Sequence, residues 1–237
     1  MDRRAEALAN CRGVLTAPDS DASLRPRPPP KLVIFDFDGT LADSFPWFVG
    51  VINDVARRWR FRTIAAGEDA LLRHMPASDI FRSLQVPTWK VPMIAADMRR
   101  RMSREIDRIA LFDGVGCELM RLHRGGLRLG IASSNAEANV RQVLGPTLWG
   151  LIQYSECGVG ISAKHGRLTR LLRRARVAPE RAIYIGDEVR DIDAARRAGI
   201  AVGAVTWGYN DASLLRACDP DLLFVQVHEI SARFLLQ

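Results

Sequence analysis

A run of apolar residues, Leu32-Val33-Ile34-Phe35, stops at two carboxylates, Asp36 and Asp38, set on either side of Phe37 and followed at once by Gly39-Thr40. β-Branched and aromatic side chains without polar alternation specify a strand covered on both faces, as in a parallel sheet. Parallel strands need crossover connections, so this feature commits the chain to an α/β architecture. It also puts both acids at the carboxyl end of a strand, where open α/β sheets hold ligands. Two residues apart, Asp36 and Asp38 would share one side of an extended chain, but a turn at Gly39 lets the second swing away. One carboxylate is then free to attack an electrophilic phosphorus while the other moves protons. Acids this close repel, which raises a pKa or recruits a divalent cation. An Asp-rich turn that merely ends a strand is the plainer alternative.

A second apolar run, Ala182-Ile183-Tyr184-Ile185, passes through Gly186 into Asp187-Glu188-Val189-Arg190-Asp191 and then into a helical pattern up to Gly199. Asp187 leaves the strand tip and Asp191 follows one helical turn later, so both can face one oxygen-seeking ion. Helix capping would explain Asp187 or Glu188 alone, but not the repetition of the first cluster's logic.

Further strand patterns fall near Leu127 to Ser133, Leu151 to Tyr154, Ile200 to Thr206 and Leu222 to Val225. Helical patterns fall at Glu118 to His123, Asn135 to Leu144, His165 to Arg176 and Val189 to Ala198. The alternation specifies a doubly wound, Rossmann-like and mostly parallel sheet. Residues 45–110 depart from it. Phe48, Ile52, Val55, Ala56 and Trp59 form one helical stripe, and Ile94, Met98, Met102, Ile106 and Ile109 form another, so an inserted all-helical unit is expected there. Core residues are then 31–44 and 111–237, with hinges near Asp43-Ser44 and Phe112-Asp113-Gly114.

Asp36-Phe37-Asp38-Gly39-Thr40 together with Asp187 and Asp191 resembles the haloacid dehalogenase-like superfamily, specifically its phosphatases, and two intermediate motifs match as well. Leu127-Arg128-Leu129-Gly130-Ile131-Ala132-Ser133 is similar to the second motif. The resemblance implies that Ser133 bonds the transferring phosphoryl group, with Ser134 and Asn135 as further donors. Lys164, one of three lysines, is similar to the third-motif lysine that neutralises nucleophile and phosphate. The resemblance also implies the first strand at the sheet centre, between the strands of the second and fourth motifs, and a mobile helical cap over the site. By the same resemblance Mg2+ is the cofactor, held by Asp36, the Asp38 carbonyl and Asp187, with Glu188 and Asp191 behind them. Gly39, Thr40, Ser133, Ser134, Asn135 and Lys164 then cradle the phosphate.

Departures within the family narrow the reaction. The dehalogenase branch lacks the second acid and the phosphonatase branch has alanine there, whereas this chain has Asp38. Sugar-phosphate mutases carry a histidine twelve residues beyond the nucleophile, where this chain has Phe48. The expectation is a phosphatase of a small phosphorylated metabolite, most like the phosphoglycolate-phosphatase-type hydrolases. A mutase of the same fold and a noncatalytic basic binding module are the alternatives.

Composition agrees. The 237 residues, 48% of them hydrophobic, suffice for one core plus a small inserted module, and no apolar run approaches the ~20 residues of a membrane span. Residues 1–30, rich in proline and arginine, lack the apolar centre of a secretory signal and are expected to be a disordered leader on a cytoplasmic protein. Cys11, Cys117, Cys157 and Cys218 are scattered without zinc spacing. The formal charge of +7, with Arg99-Arg100-Arg101 and the arginines from Arg167 to Arg176, lacks an accompanying nucleic-acid motif. It is better suited to drawing phosphorylated metabolites toward the cleft, so nucleic acid is not the expected partner.

Overall fold

The computed structural model describes residues 28–65, 67–158 and 164–235, so the expected leader lies outside them except for its last three residues. Six strands, β1 Leu32–Phe35, β2 Arg128–Ala132, β3 Ile152–Glu156, β4 Ala182–Gly186, β5 Ala201–Val205 and β6 Leu222–Phe224, form one sheet in the order β3-β2-β1-β4-β5-β6. Every pairing is parallel. β1 is central, with Leu32 to Phe35 in register against Arg128 to Ile131 on one side and Ala182 to Ile185 on the other, as expected.

Strand period explains the two faces. Val33, Phe35, Leu129, Ile131, Ile183 and Ile185 point to one side, against helices α5 Val115–Arg124, α6 Glu137–Trp149 and α10 Glu229–Leu235. Leu32, Ile34, Tyr184, Val202 and Ala204 point to the other, against α7 Lys164–Ala175, α8 Val189–Arg197 and α9 Ala212–Ala217. The continuous apolar run of β1 is thus covered twice, and all four of its side chains are at most 1% exposed. α6 continues past the expected end at Leu144 to Trp149, with a break at Gly145, whose left-handed φ of 67° precedes Pro146.

Between β1 and α5 the named elements among the described residues are all helical: α1 Phe45–Trp59, α2 Asp69–Leu72, α3 Ala77–Ser83 and α4 Val91–Arg104, with 3₁₀ turns at Thr88–Lys90 and Ile106–Arg108. α1 opens with Pro46 in its first turn and stops at Arg60, which adopts φ 56°. The expected long second helix ends at Arg104, because Glu105 leaves the helical region and Ile106–Arg108 forms a separate 3₁₀ turn. Ile52, Val55, Ile64, Leu72, Leu84, Val86 and Ile94 pack into a cluster belonging to this segment alone. The two connections to the sheet run side by side: Asp43 N–H donates to the Ala110 carbonyl (2.9 Å) and Phe112 N–H to that of Leu41 (3.0 Å). Among the described residues no helix is long and apolar enough to cross a membrane.

Candidate active site

The carboxyl ends of β1, β2 and β4 and the N-terminus of α7 converge. Asp36 N–H donates to the Ile185 carbonyl (2.8 Å), tying the β1 tip to β4, and the Asp36 carboxylate accepts from Phe37 N–H at 2.8 Å. The chain then reverses at Gly39, with φ +76°. A Cβ there would lie 2.1 Å from Asp187 Oδ2, so both the backbone conformation and the space demand glycine. Through this gap the two acidic clusters meet. Thr40 Oγ1 donates to Asp187 Oδ1 at 2.8 Å, and Tyr209 N–H donates to Asp187 Oδ2 at 2.7 Å, leaving Asp187 completely buried.

Asp191 folds back over the β4 tip. Its Oδ2 accepts from the N–H groups of Asp187 (3.2 Å) and Glu188 (3.0 Å), and Glu188 caps α8 in return. Asp191 therefore does cap a helix, and its other oxygen is spent elsewhere: Oδ1 accepts from Tyr184 Oη at 3.2 Å and from Lys164. Lys164 Nζ also donates to Asp36 Oδ2 at 2.5 Å, so one ammonium bridges the first and last motifs.

Asp38 stands apart from this bridge. Asn135 Nδ2 reaches its two oxygens at 3.2 and 3.1 Å and lies 2.9 Å from Met102 Sδ of α4. Ser133 Oγ, fully buried, accepts from Asn135 N–H at 3.0 Å. Ser134 lines the cavity beside Asp38. The residues expected to cradle a phosphate are thus brought together, although Thr40's hydroxyl and Asn135's amide are engaged by Asp187 and Asp38.

The electrostatics follow from burial. Asp36 is pushed up to about 6, first by burial and then by Asp191, against the pull of Lys164. Burial likewise raises Asp38, with hydrogen bonds from Asn135 and Ser44 opposing. Asp187 is raised well above the usual carboxylate range by burial and by its neighbours Glu188 and Asp191. For Lys164, burial acts downward, but Asp191 and Asp36 outweigh it and hold the ammonium charged. Cys157, pushed up to about 12 by burial, is no nucleophile.

Oxygens of Asp36, Asp187 and Asp191 lie within 4.8 Å of one another. An all-carboxylate set in which burial makes Asp36 and Asp187 resist ionisation is a fit donor set for a hard divalent cation such as Mg2+. Asp191 is the least available of the three, since both its oxygens already accept two hydrogen bonds.

Three supports escaped sequence reasoning. Asn210 accepts from Val189 N–H (3.0 Å) through Oδ1, donates to the Met75 carbonyl (2.9 Å) through Nδ2, and its backbone N–H donates to the Asp187 carbonyl (3.3 Å). Arg190 pairs with Glu188 and lines the cavity. Arg73 reaches from the helical segment to the Gly208 carbonyl at 2.7 Å. The available signal was Gly208 just past a strand: a Cβ there would lie 2.3 Å from the Asp187 side chain, a mark of close approach. The Trp207-Gly208-Tyr209 loop follows β5, and Tyr209 lines the cavity and is a direct partner of Asp187.

Comparison with known proteins gives a consistent picture. Residues 33–205 match the family model described as haloacid dehalogenase-like hydrolase. A phosphoglycolate phosphatase from Synechococcus elongatus is 35% identical over 194 residues, spanning 81% of this chain and 92% of that protein. The tyrosine-protein kinase PtkA from Mycobacterium tuberculosis is 31% identical over 195 residues, 78% of this chain but 65% of the relative. A haloacid dehalogenase-like hydrolase from Streptococcus pneumoniae superposes with a TM-score of 0.72 at 21% identity, covering 86% of this chain and 98% of that one.

Proposed function

This chain belongs to the haloacid dehalogenase-like hydrolase family, and from that membership we propose that it is a magnesium-dependent phosphatase acting on a small phosphomonoester through an aspartyl-phosphate on Asp36. At the coarser level it is a phosphoric monoester hydrolase of the phosphoglycolate-phosphatase-like kind. The observation that supports the finer reading most is the division of labour between the two first-motif acids. Asp36 is bridged by Lys164 to Asp191 next to Asp187, while Asp38 is held apart by Asn135.

In this reading Asp36 attacks phosphorus as the bond from phosphorus to the alcohol oxygen breaks. Asp38, whose burial favours its protonated form, gives that proton to the departing oxygen. The resulting Asp38 carboxylate then takes a proton from water, whose oxygen attacks phosphorus and breaks its bond to Asp36, releasing orthophosphate and restoring both acids. Lys164 and the Ser133 and Ser134 side chains offset the charge on the transferring group. Asp36, Asp187 and the Asp38 carbonyl would hold Mg2+, with Asp191 and Glu188 fixing their loop. The cation's contribution when bound is to reduce the repulsion between the carboxylate nucleophile and the phosphate.

We assign residues 45–110 as the cap and 31–44 with 111–237 as the core. The segment's own apolar cluster and the paired connections at Asp43 and Phe112 support a hinge there, and closure would keep bulk water from the intermediate. The expected setting is the cytoplasm.

Release of inorganic phosphate from small phosphomonoesters, with Mg2+, with chelator and with Asp36→Asn, tests the reading. Metal-dependent release that Asp36→Asn abolishes is expected; release retained in that variant, or isomerisation of sugar phosphates without release, would contradict it.

A further inference from the structure

The cavity above the strand tips has two kinds of wall. Its floor is polar, made by Asp38, Ser134, Asn135 and Arg190 at the end where the phosphoryl group would be handled. Its roof, in a space of about 210 Å³, is contributed by the helical segment and is apolar: Phe48 on α1, Ile80 and Phe81 on α3, Ile94 and Met98 on α4. Arg99 is the one charged side chain of that segment on the lining, and among the described residues it has no carboxylate partner. The two polar side chains that enter from the 209–210 loop are already engaged, Tyr209 Oη with Ser44 and Asn210 with Met75 and Val189.

Geometry assigns the roof to the leaving alcohol. Asp38 faces the cavity and, on the phosphatase reading that this inference rests on, protonates the alcohol oxygen, so whatever that oxygen carries extends from Asp38 toward the helices. A polyhydroxylated or two-carbon acidic group placed there would lose water without gaining matching partners, apart from Arg99 at one edge. An apolar ring would exchange water for aromatic and aliphatic contacts on several sides. We infer that this enzyme is selective for phosphate esters of ring-sized apolar alcohols, such as arylmethyl phosphates, over phosphoglycolate and other compact polar esters.

Steady-state phosphate release by the full chain with Mg2+ tests this, using benzyl phosphate, phosphoglycolate and glycerol 1-phosphate, whose alcohols are all poor leaving groups. Acetyl phosphate serves as a probe that needs no roof contact. The expected result is a kcat/KM for benzyl phosphate at least about tenfold above both polar esters, the scale on which apolar pockets discriminate. Phe81→Ser is expected to pull that ratio toward unity. Equal or better turnover of phosphoglycolate or glycerol 1-phosphate would overturn the inference while leaving the phosphatase reading intact. No metal-dependent release from any ester, acetyl phosphate included, would remove the phosphatase reading and this inference with it.

Discussion

Lys164 is the direct counter-charge to both Asp36 and Asp191. Replacing it by methionine keeps the bulk and removes the charge, which leaves two buried carboxylates facing each other. Turnover is expected to fall about 10²- to 10³-fold, the usual cost of losing one preorganised charge-stabilising donor, with the fold retained by circular dichroism. An unchanged kcat would show that Lys164 only neutralises the resting site. Gly39→Ala is expected to fail differently: the added methyl would meet Asp187, so Mg2+ dependence and activity should be lost together. The acids and Lys164 were legible in the sequence because each sits at a strand tip or a helix start. Arg73 and Asn210 were not, since their partners lie on other elements and no local period announces them.

At the scale of elements, the chain's alternation specified β1, β2, β4 and β5 to within about a residue at either end, because strands covered on both faces leave uninterrupted apolar runs. The boundaries of the inserted helices were less legible. Glu105 ends α4 and Arg60 ends α1 through backbone conformations that side-chain periodicity does not encode. Nor did the sequence disclose the latch between residues 73–75 and 208–211. There Arg73 holds Gly208, His74 pairs with Asp211, Asp211 N–H donates to the Arg73 carbonyl (2.9 Å), and Asn210 links Met75 to the Asp187 loop. The loop that fixes Asp187 is thereby tied to the inserted helical segment. Asn210→Ala is expected to raise the Mg2+ concentration for half-maximal activity by about 10- to 100-fold, as loss of a supporting partner behind metal ligands does. An unchanged metal dependence would mean that Tyr209 and Thr40 suffice. In the core, Ile34→Ala should cost about 2–5 kcal/mol of stability, measurable by denaturant unfolding.

For the whole molecule, the formal charge of +7 is partly answered on the spot: Arg58, Arg100 and Arg101 surround the buried Asp97, and Arg170 and Arg174 share Glu156. The site's own charge balance sets a pH dependence. Asp36, at about 6 in the folded protein against an ordinary 3.8, holds its proton more tightly folded than unfolded when metal is absent. That stabilising contribution is complete below about pH 4 and is lost as pH rises through 6, and Asp187 acts in the same direction. Mg2+ needs both carboxylates ionised, so the rise in melting temperature on adding saturating Mg2+ should be larger at pH 7 than at pH 5. Equal increments would show that these acids are not the metal's ligands.

Phosphorylation of Asp36 is tested by direct observation of the intermediate. In the Asp38→Asn variant, acetyl phosphate needs no proton for its leaving group, whereas breakdown of the intermediate still lacks its base, so the phosphoenzyme should accumulate. Acid quenching followed by tandem mass spectrometry is predicted to place a single phosphoryl group on Asp36. A phosphoryl group on another residue, or steady phosphate release from this variant with Asp36 unmodified throughout, would contradict the account.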